Sequence, residues 1–133
     1  MTKKRLQLYI DGQWVDPVTP KSLPVINPSN EEVIGEISLG SKADVDKAVA
    51  AARRAFETCS VTSKEERVAL LEKILAIYQR RYAEFVETIS LEMGAPTWLS
   101  QAAQAATGVA HLSQAIKTLK EFEFEKVQGS TGI

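Results

Sequence analysis

The chain has 133 residues, of which 44% are hydrophobic and 25% charged, with a formal net charge of −1. That balance belongs to a folded globular body and excludes a disordered one. It gives no electrostatic case for nucleic acid or an anionic membrane surface. Cys59 is the single cysteine, so no intrachain disulfide can form. No apolar run approaches the roughly 18 residues of a spanning helix, and the basic opening Thr2-Lys3-Lys4-Arg5 lacks the apolar stretch of a signal peptide. The expectation is a cytoplasmic protein of one domain, or part of one.

Leu6 to Val15 alternates around Asp11-Gly12, a pair that suits the type I′ turn of a β-hairpin. Pro17, Pro20 and Pro24 then mark a surface connection. Val25-Ile26 is extended, Asn27-Pro28-Ser29-Asn30 is a turn, and Glu32 to Leu39 is a strand. This predicts two hairpins over residues 6–39 and no parallel sheet.

Ser41 is placed to cap a first helix over residues 41–58, with Val45, Ala48, Val49, Ala52, Ala55 and Phe56 on one face. Ser63-Lys64-Glu65-Glu66 has the form of a capping box and opens a second helix, predicted over residues 63–94. Its stripe runs through Val68, Leu71, Leu75, Tyr78, Tyr82, Phe85 and Ile89, widened by Leu70, Ile74 and Ile77. The charges on this helix, Arg67 and Glu72 among them, read as a solvated face. Gly94 can close it in a left-handed conformation, and Pro96 opens a third helix over residues 96–121. Trp98, Ala102, Ala105, Val109, Leu112, Ile116 and Leu119 form the stripe of that third helix, which is expected to lie in the core. Its small first half invites close approach of another backbone. Residues 122–127 alternate like the start of a strand with nothing left to pair with.

A second helix of about 30 residues would run about 45 Å, longer than the roughly 36 Å diameter of a compact body of this chain length. Length and the unpaired strand together suggest an incomplete domain.

Three side-chain candidates have a bland reading. Cys59 lies in a polar connection and reads as a structural or exposed thiol, not a nucleophile. His111 stands alone on a helix and reads as a packing or surface residue. Asn27 and Asn30 read as turn residues. No glycine-rich phosphate cradle is visible.

Five segments in order carry a resemblance. They are L-Y-I-D-G-Q-W-V at Leu8 to Val15, I-N-P-S-N-E-E-V-I at Ile26 to Ile34, and A-D-V-D-K-A-V-A-A-A-R-R-A-F at Ala43 to Phe56. Glu66-Arg67 and S-L-E-M-G-A-P at Ser90 to Pro96 complete the set. Together the chain resembles the N-terminal region of the NAD(P)-dependent aldehyde dehydrogenase superfamily. Asn30-Glu31 departs from the Thr-Gly common in that family, with Asn expected to tolerate the backbone region of Gly. Glu92 stands where the family commonly has Asp.

The resemblance implies an α+β fragment of an α/β fold with a Rossmann-type cofactor domain: two N-terminal β-hairpins, three helices, and the start of an oligomerisation strand at 122–127. It implies a parent that oxidises an aldehyde to a carboxylate with NAD or NADP through a cysteine thiolate. Catalytic and cofactor-binding residues are expected outside this chain, which alone is expected to be inactive and to bind no cofactor. In some family members a monovalent cation is held by the two carbonyls before Asn-Pro and a carboxylate from the second helix exit. Those positions are Val25, Ile26 and Glu92. The start of the third helix borders the substrate tunnel in some members, which makes Trp98 and Gln101 candidates for substrate contact in the intact enzyme. Expected partners are further copies of the chain, through exposed helix faces, or the remainder of the dehydrogenase. Alternatives are a self-associating helical interaction module and one half of a split dehydrogenase.

Overall fold

The structure is a computed structural model that describes residues 3–125, 127–128 and 131–132. Strands β2 (Leu8–Ile10) and β3 (Gln13–Val15) form the expected hairpin, with Asp11 and Gly12 both at positive φ. Tyr9 faces Trp14 across it, ring centroids 5.1 Å apart, a cross-strand aromatic pair of the kind that stabilises a short ladder.

The second hairpin pairs β4 (Ser22–Ile26) with β5 (Val33–Ser38). It is not isolated. Strand β1 (Lys3–Arg5) adds to the other edge of β5 in parallel, giving the order β1-β5-β4. The sequence reading predicts two hairpins and no parallel sheet, so this parallel pairing corrects it. The exposed edge of β5 supplies the hydrogen bonds regardless of side chain.

Helix α1 (Lys42–Cys59) starts where Ser41 and Asp44 exchange bonds. The Asp44 carboxylate accepts from the Ser41 amide (2.8 Å) and hydroxyl (2.7 Å). It also accepts from the Val18 amide (2.9 Å), which ties the connection after β3 to the helix start. Helix α2 (Lys64–Arg80) opens on the predicted capping box: the Glu66 amide donates to Ser63 Oγ (3.1 Å), and the Ser63 amide to Glu66 (2.8 Å).

The single helix expected over residues 63–94 is two. α2 stops at Arg80, Arg81 takes φ −98° and ψ 14°, and α3 runs from Tyr82 to Met93. No glycine or proline marks the break. The Arg81 guanidinium folds onto Glu84 (2.8 Å), and Tyr78 stacks on Phe85 across the joint at 4.2 Å. The pieces are about 26 and 18 Å long, each shorter than the roughly 36 Å of a compact body of this chain length.

The third helix is also divided. One turn, α4 (Thr97–Leu99), leads into a π-helical segment, Ser100–Gln104, and then α5 (Ala105–Glu121). Strands β6 (Val127–Gln128) and β7 (Thr131–Gly132) pair antiparallel. Of the strand expected at 122–127 only Val127 is in a strand; Phe122 to Glu125 lie outside it, and Lys126 is outside the described residues.

α2 packs on α5 around half-buried Leu71, Leu75 and Tyr78, with Ala105 and Ile116 buried. Gly108 lets the Tyr78 ring lie against α5: a Cβ there would stand 2.5 Å from Tyr78 Cζ. The small-residue half of this helix thus receives an aromatic ring and not another backbone.

Much of the expected core is uncovered. Val45, Val49 and Phe56 on α1, Leu70, Ile74 and Ile77 on α2, and Trp98 are all exposed, Trp98 at 69%. The chain presents 10256 Å² of surface, roughly half as much again as the ~6,900 Å² expected of a folded monomer of its mass. Secondary structure here is complete, but its apolar faces outnumber the partners this chain provides.

Candidate functional site

The Asn-Pro turn and the exit of α3 meet. Asn27 is buried, and its side-chain oxygen accepts from the Ser29 amide (2.9 Å) and hydroxyl (2.8 Å). Its backbone amide donates to Glu32 O (2.9 Å), and its carbonyl accepts from the Glu31 amide (2.8 Å). This is an Asx-type turn in which one side chain replaces a peptide group. The left-handed residue is Glu31 (φ 61°), not Asn30. Asn30 instead uses its side chain, accepting from the Glu32 amide at 3.1 Å.

Gly94 closes α3 at φ 66° and ψ 15°, the predicted left-handed exit. A Cβ there would lie 3.0 Å from both Pro28 Cγ and the Ser29 amide nitrogen. The glycine therefore serves two ends: it reverses the chain, and it lets the helix exit seat on the Asn-Pro turn. The Ser90 hydroxyl holds the reversed chain by donating to Ala95 O (2.7 Å).

Beside this contact runs a groove of about 450 Å³ between β5 and α3. Val25 and Glu92 both line it, with Arg5, Glu32, Glu36 and Glu87. Ile26 does not. The β4–β5 register shifts between Val25 and Ile26, pairing Val25 with Gly35 and Ile26 with Val33. Such a bulge re-aims backbone groups. The Ser22 hydroxyl donates to Glu36 and Lys4 stands 3.4 Å away; both hold its carboxyl below the ordinary range, the Ser22 bond most. Among the described residues no three acidic, His or Cys side chains converge closely enough to hold a metal by themselves. The groove brings together two of the three expected cation positions, Val25 and Glu92, with Arg5 among three further carboxylates.

The other candidates lie apart. Cys59 ends α1 and is exposed. Its surroundings are built for closing a helix: Thr62 Oγ1 donates to Cys59 O (2.8 Å), and Arg67 donates to Thr62 Oγ1 (2.9 Å) and to Ser60 O (3.0 Å). Arg67, read from the sequence as part of a solvated face, is a half-buried cation on the carbonyl end of α1. Glu72 likewise pairs with Lys120 of α5 at 2.6 Å. His111 is exposed on α5, Trp98 is exposed on α4, and Gln101 is exposed in the π segment. The sequence reading misses Tyr78 and Tyr82 as donors: their hydroxyls reach Ala105 O (2.9 Å) and Gln101 O. Tyrosine hydroxyls on an otherwise apolar stripe are the signal that points to them.

Among the described residues the left-handed glycines are Gly12, in the β2–β3 turn, and Gly94. Neither lies between a strand and a helix N-terminus, where a dinucleotide phosphate is cradled.

Comparison with known proteins accounts for this geometry. A profile described as "Aldehyde dehydrogenase family" matches residues 14–132. The chain is 42% identical over 128 residues to 3-succinoylsemialdehyde-pyridine dehydrogenase of a Pseudomonas species, covering 96% of this chain and 27% of that protein. It is 44% identical over 121 residues to an aldehyde dehydrogenase from Staphylococcus aureus described as putative, at 91% and 26% coverage. The crystal structure of aldehyde dehydrogenase from Bartonella henselae superimposes with a TM-score of 0.93 at 47% identity, over 96% of this chain and 27% of that one. Aldehyde dehydrogenase C from Pseudomonas syringae, solved as a mutant with NAD+ and octanal, gives 0.91 at 41% identity, over 95% and 26%. The chain thus spans about a quarter of the length of the relatives it matches, their N-terminal part. On profile, identity and fold together, this chain belongs to the aldehyde dehydrogenase family.

Proposed function

We propose that this chain serves as the N-terminal packing body of an aldehyde dehydrogenase and carries no chemistry of its own. The intact enzyme would oxidise an aldehyde to a carboxylate with NAD or NADP. The observation that carries this reading is the uncovered apolar surface of α1 and α2, Val45, Val49, Phe56, Leu70, Ile74 and Ile77. These residues sit on well-formed helices in a chain that matches a quarter of its relatives' length. Burying a single such side chain contributes about 1.5–3 kcal/mol, so the face is a strong driver for docking on a larger body.

Co-expression tests it. The chain is produced with the Bartonella henselae relative lacking its matching N-terminal part. The expected result is a co-purifying complex with aldehyde-dependent NAD reduction, and no reduction by either piece alone. Saturable micromolar NAD binding by this chain alone, or failure to form the complex, overturns it. Stable homo-oligomers that refuse the larger piece would favour the rival reading, a self-associating helical module.

A second element concerns the groove. Val25 and Glu92 would contribute to a monovalent-cation site completed by oxygens from elsewhere in the intact enzyme. Their place on one groove beside the β4–β5 bulge supports this, and hard oxygen donors suit such an ion. In the complex of the two pieces, potassium or sodium should raise the melting temperature, and Glu92→Gln should abolish the rise. No difference between potassium, sodium and a bulky organic cation would refute it.

A further inference from the structure

The π-helical segment Ser100–Gln104 interrupts an otherwise regular helix. A π turn contains one extra residue, shifts the hydrogen-bond ladder by one position, and is rare outside places where something holds it. The Ala105 amide donates to Ser100 O, five residues back. Two carbonyls of the segment, and the first carbonyl of α5 directly after it, each receive a side-chain hydroxyl. Tyr82 of α3 donates to Gln101 O, Thr107 to Ala103 O (2.9 Å), and Tyr78 of α2 to Ala105 O (2.9 Å). Two of the three donors come from other helices and lie on opposite sides of the Arg81 break. Tyr78 is fixed by stacking on Phe85 (4.2 Å) and sits edge-on to Tyr82 (6.5 Å). At the other end Ser100 is fully buried and donates to Gln104 (3.0 Å).

We propose that Tyr78 and Tyr82 form a register lock that holds Ser100–Gln104 in the π conformation and thereby sets the direction in which Trp98 and Thr97 are presented. The reasoning is geometric. One residue of an α-helix turns the chain by about 100°. Absorbing the extra residue into α-helical pairing would rotate everything before it, α4 included, by about that angle relative to α5. The same rotation would remake the groove of about 390 Å³ that Tyr82, Val86, Ser90, Thr97 and Gln101 line. The α-helical alternative keeps a full backbone ladder, so its competitor needs outside donors; the two tyrosine hydroxyls are those donors. The Arg81 break fits the same scheme, because it lets one aromatic stripe send one donor into the π segment, at Gln101 O, and another to the first carbonyl after it, at Ala105 O. Tyr78 and Tyr82 are positioning residues on this reading, and the inference does not depend on the proposed function.

The test uses the full chain with Tyr78→Phe, Tyr82→Phe and the double variant, which keep both rings and remove only the hydroxyls. Amide hydrogen exchange is followed residue by residue, with backbone carbon chemical shifts. Exchange at Gln104 to Thr107 should accelerate roughly 2- to 10-fold for each hydroxyl lost, while α1 and the distal half of α5 keep their rates. In the double variant the shifts of Leu99 to Gln104 should move toward regular α-helical values. A further variant deletes Ala102, which removes the extra residue; there Tyr82→Phe should no longer alter local exchange. Uniform acceleration across all helices would mean global destabilisation and overturn the lock. So would unchanged exchange at Gln104 to Thr107 in the double variant, or an equal Tyr82→Phe effect with and without the deletion.

Discussion

Gly94 and Gly12 together offer a measurement of how tightly the α3 exit is seated. Both glycines have positive φ, 66° and 76°, so any side chain meets backbone strain of about 1–2 kcal/mol at either place. They differ in surroundings. A Cβ on Gly12 meets nothing within 4 Å, whereas one on Gly94 stands 3.0 Å from Pro28 Cγ and the Ser29 nitrogen. Neither neighbour yields easily. The proline ring is rigid, and the Ser29 amide is held by Asn27 at 2.9 Å. Overpacking of this kind costs about 1–3 kcal/mol. Gly94→Ala should therefore lose about 2–5 kcal/mol, and Gly12→Ala, with strain alone, about 1–2 kcal/mol. Asn tolerates left-handed backbone, so Gly12→Asn should be close to neutral while Gly94→Asn still bears the contact, about 1–3 kcal/mol. Gly94→Val, β-branched, should be worst. Thermal unfolding followed by far-ultraviolet circular dichroism reads these as shifts of about 3–5 °C per kcal/mol for a chain of this size. Equal shifts for the two Ala variants would refute the seating of the helix exit on the Asn-Pro turn, and leave backbone strain as the whole effect.

Three further outcomes follow from other positions. Gly108→Ala would gain up to about 1 kcal/mol of helix propensity, but its Cβ meets the Tyr78 ring at 2.5 Å, so melting should show a net loss of about 1–2 kcal/mol. In a Tyr78→Ala background the same change should become stabilising; a loss in both backgrounds would exclude the ring contact. Glu31→Gly should raise the melting temperature by a few degrees, since it relieves a left-handed glutamate (φ 61°) at the smaller entropic cost of glycine; a decrease would mean that the strain is absent. Asp44 accepts from the Ser41 hydroxyl and from the Val18 and Ser41 amides, which together hold its carboxyl below the ordinary value near 3.8. The unfolded chain then takes up the proton first as pH falls. Stability from this group is complete above the ordinary value and is lost as pH drops through the depressed one. Melting against pH should therefore fall in acid, and Asp44→Asn should flatten part of that limb; an unchanged slope would show that the network is not titrating.

What the sequence disclosed depended on range. The Asp11-Gly12 turn, the Ser63–Glu66 capping box, the Asn27 turn and the Gly94 exit are all settled within a few residues, and each is legible. The Arg81 break is not, because the local sequence contains no breaker and the joint is held by Tyr78 stacking across it on Phe85. The π segment is hidden by composition. Steps of three and four through Ala102 and Ala105 fit an apolar stripe in either register when most side chains are a single methyl. Strand β1 escapes the sequence because its pairing rests on backbone groups, and a Lys4–Glu36 ion pair, supplied by β5, a distant strand. At the groove, the positions of Val25 and Glu92 follow from their segments, and Ile26, the next residue along β4, falls outside the lining.

The apolar stripes mark a different boundary between sequence and structure. A stripe such as Val45, Val49 and Phe56 states that a face is to be covered, and says nothing about what covers it. In this chain α1 is held mainly through the caps and bonds of its other side, Asp44 to Val18 and Arg54 to Asp11 (2.8 Å), and its stripe stays open. Leu70, Ile74 and Ile77 repeat the arrangement on α2, whose opposite face is already used against α5. Each helix therefore has one face spent on internal order and one left over. Helices arranged in this way keep their shape because capping and the α2–α5 contact fix them, and they remain able to dock because the leftover faces are not needed for that order. A body built on this division can present a preformed surface to a much larger partner, and the ordering entropy of docking is reduced to the exposed side chains themselves.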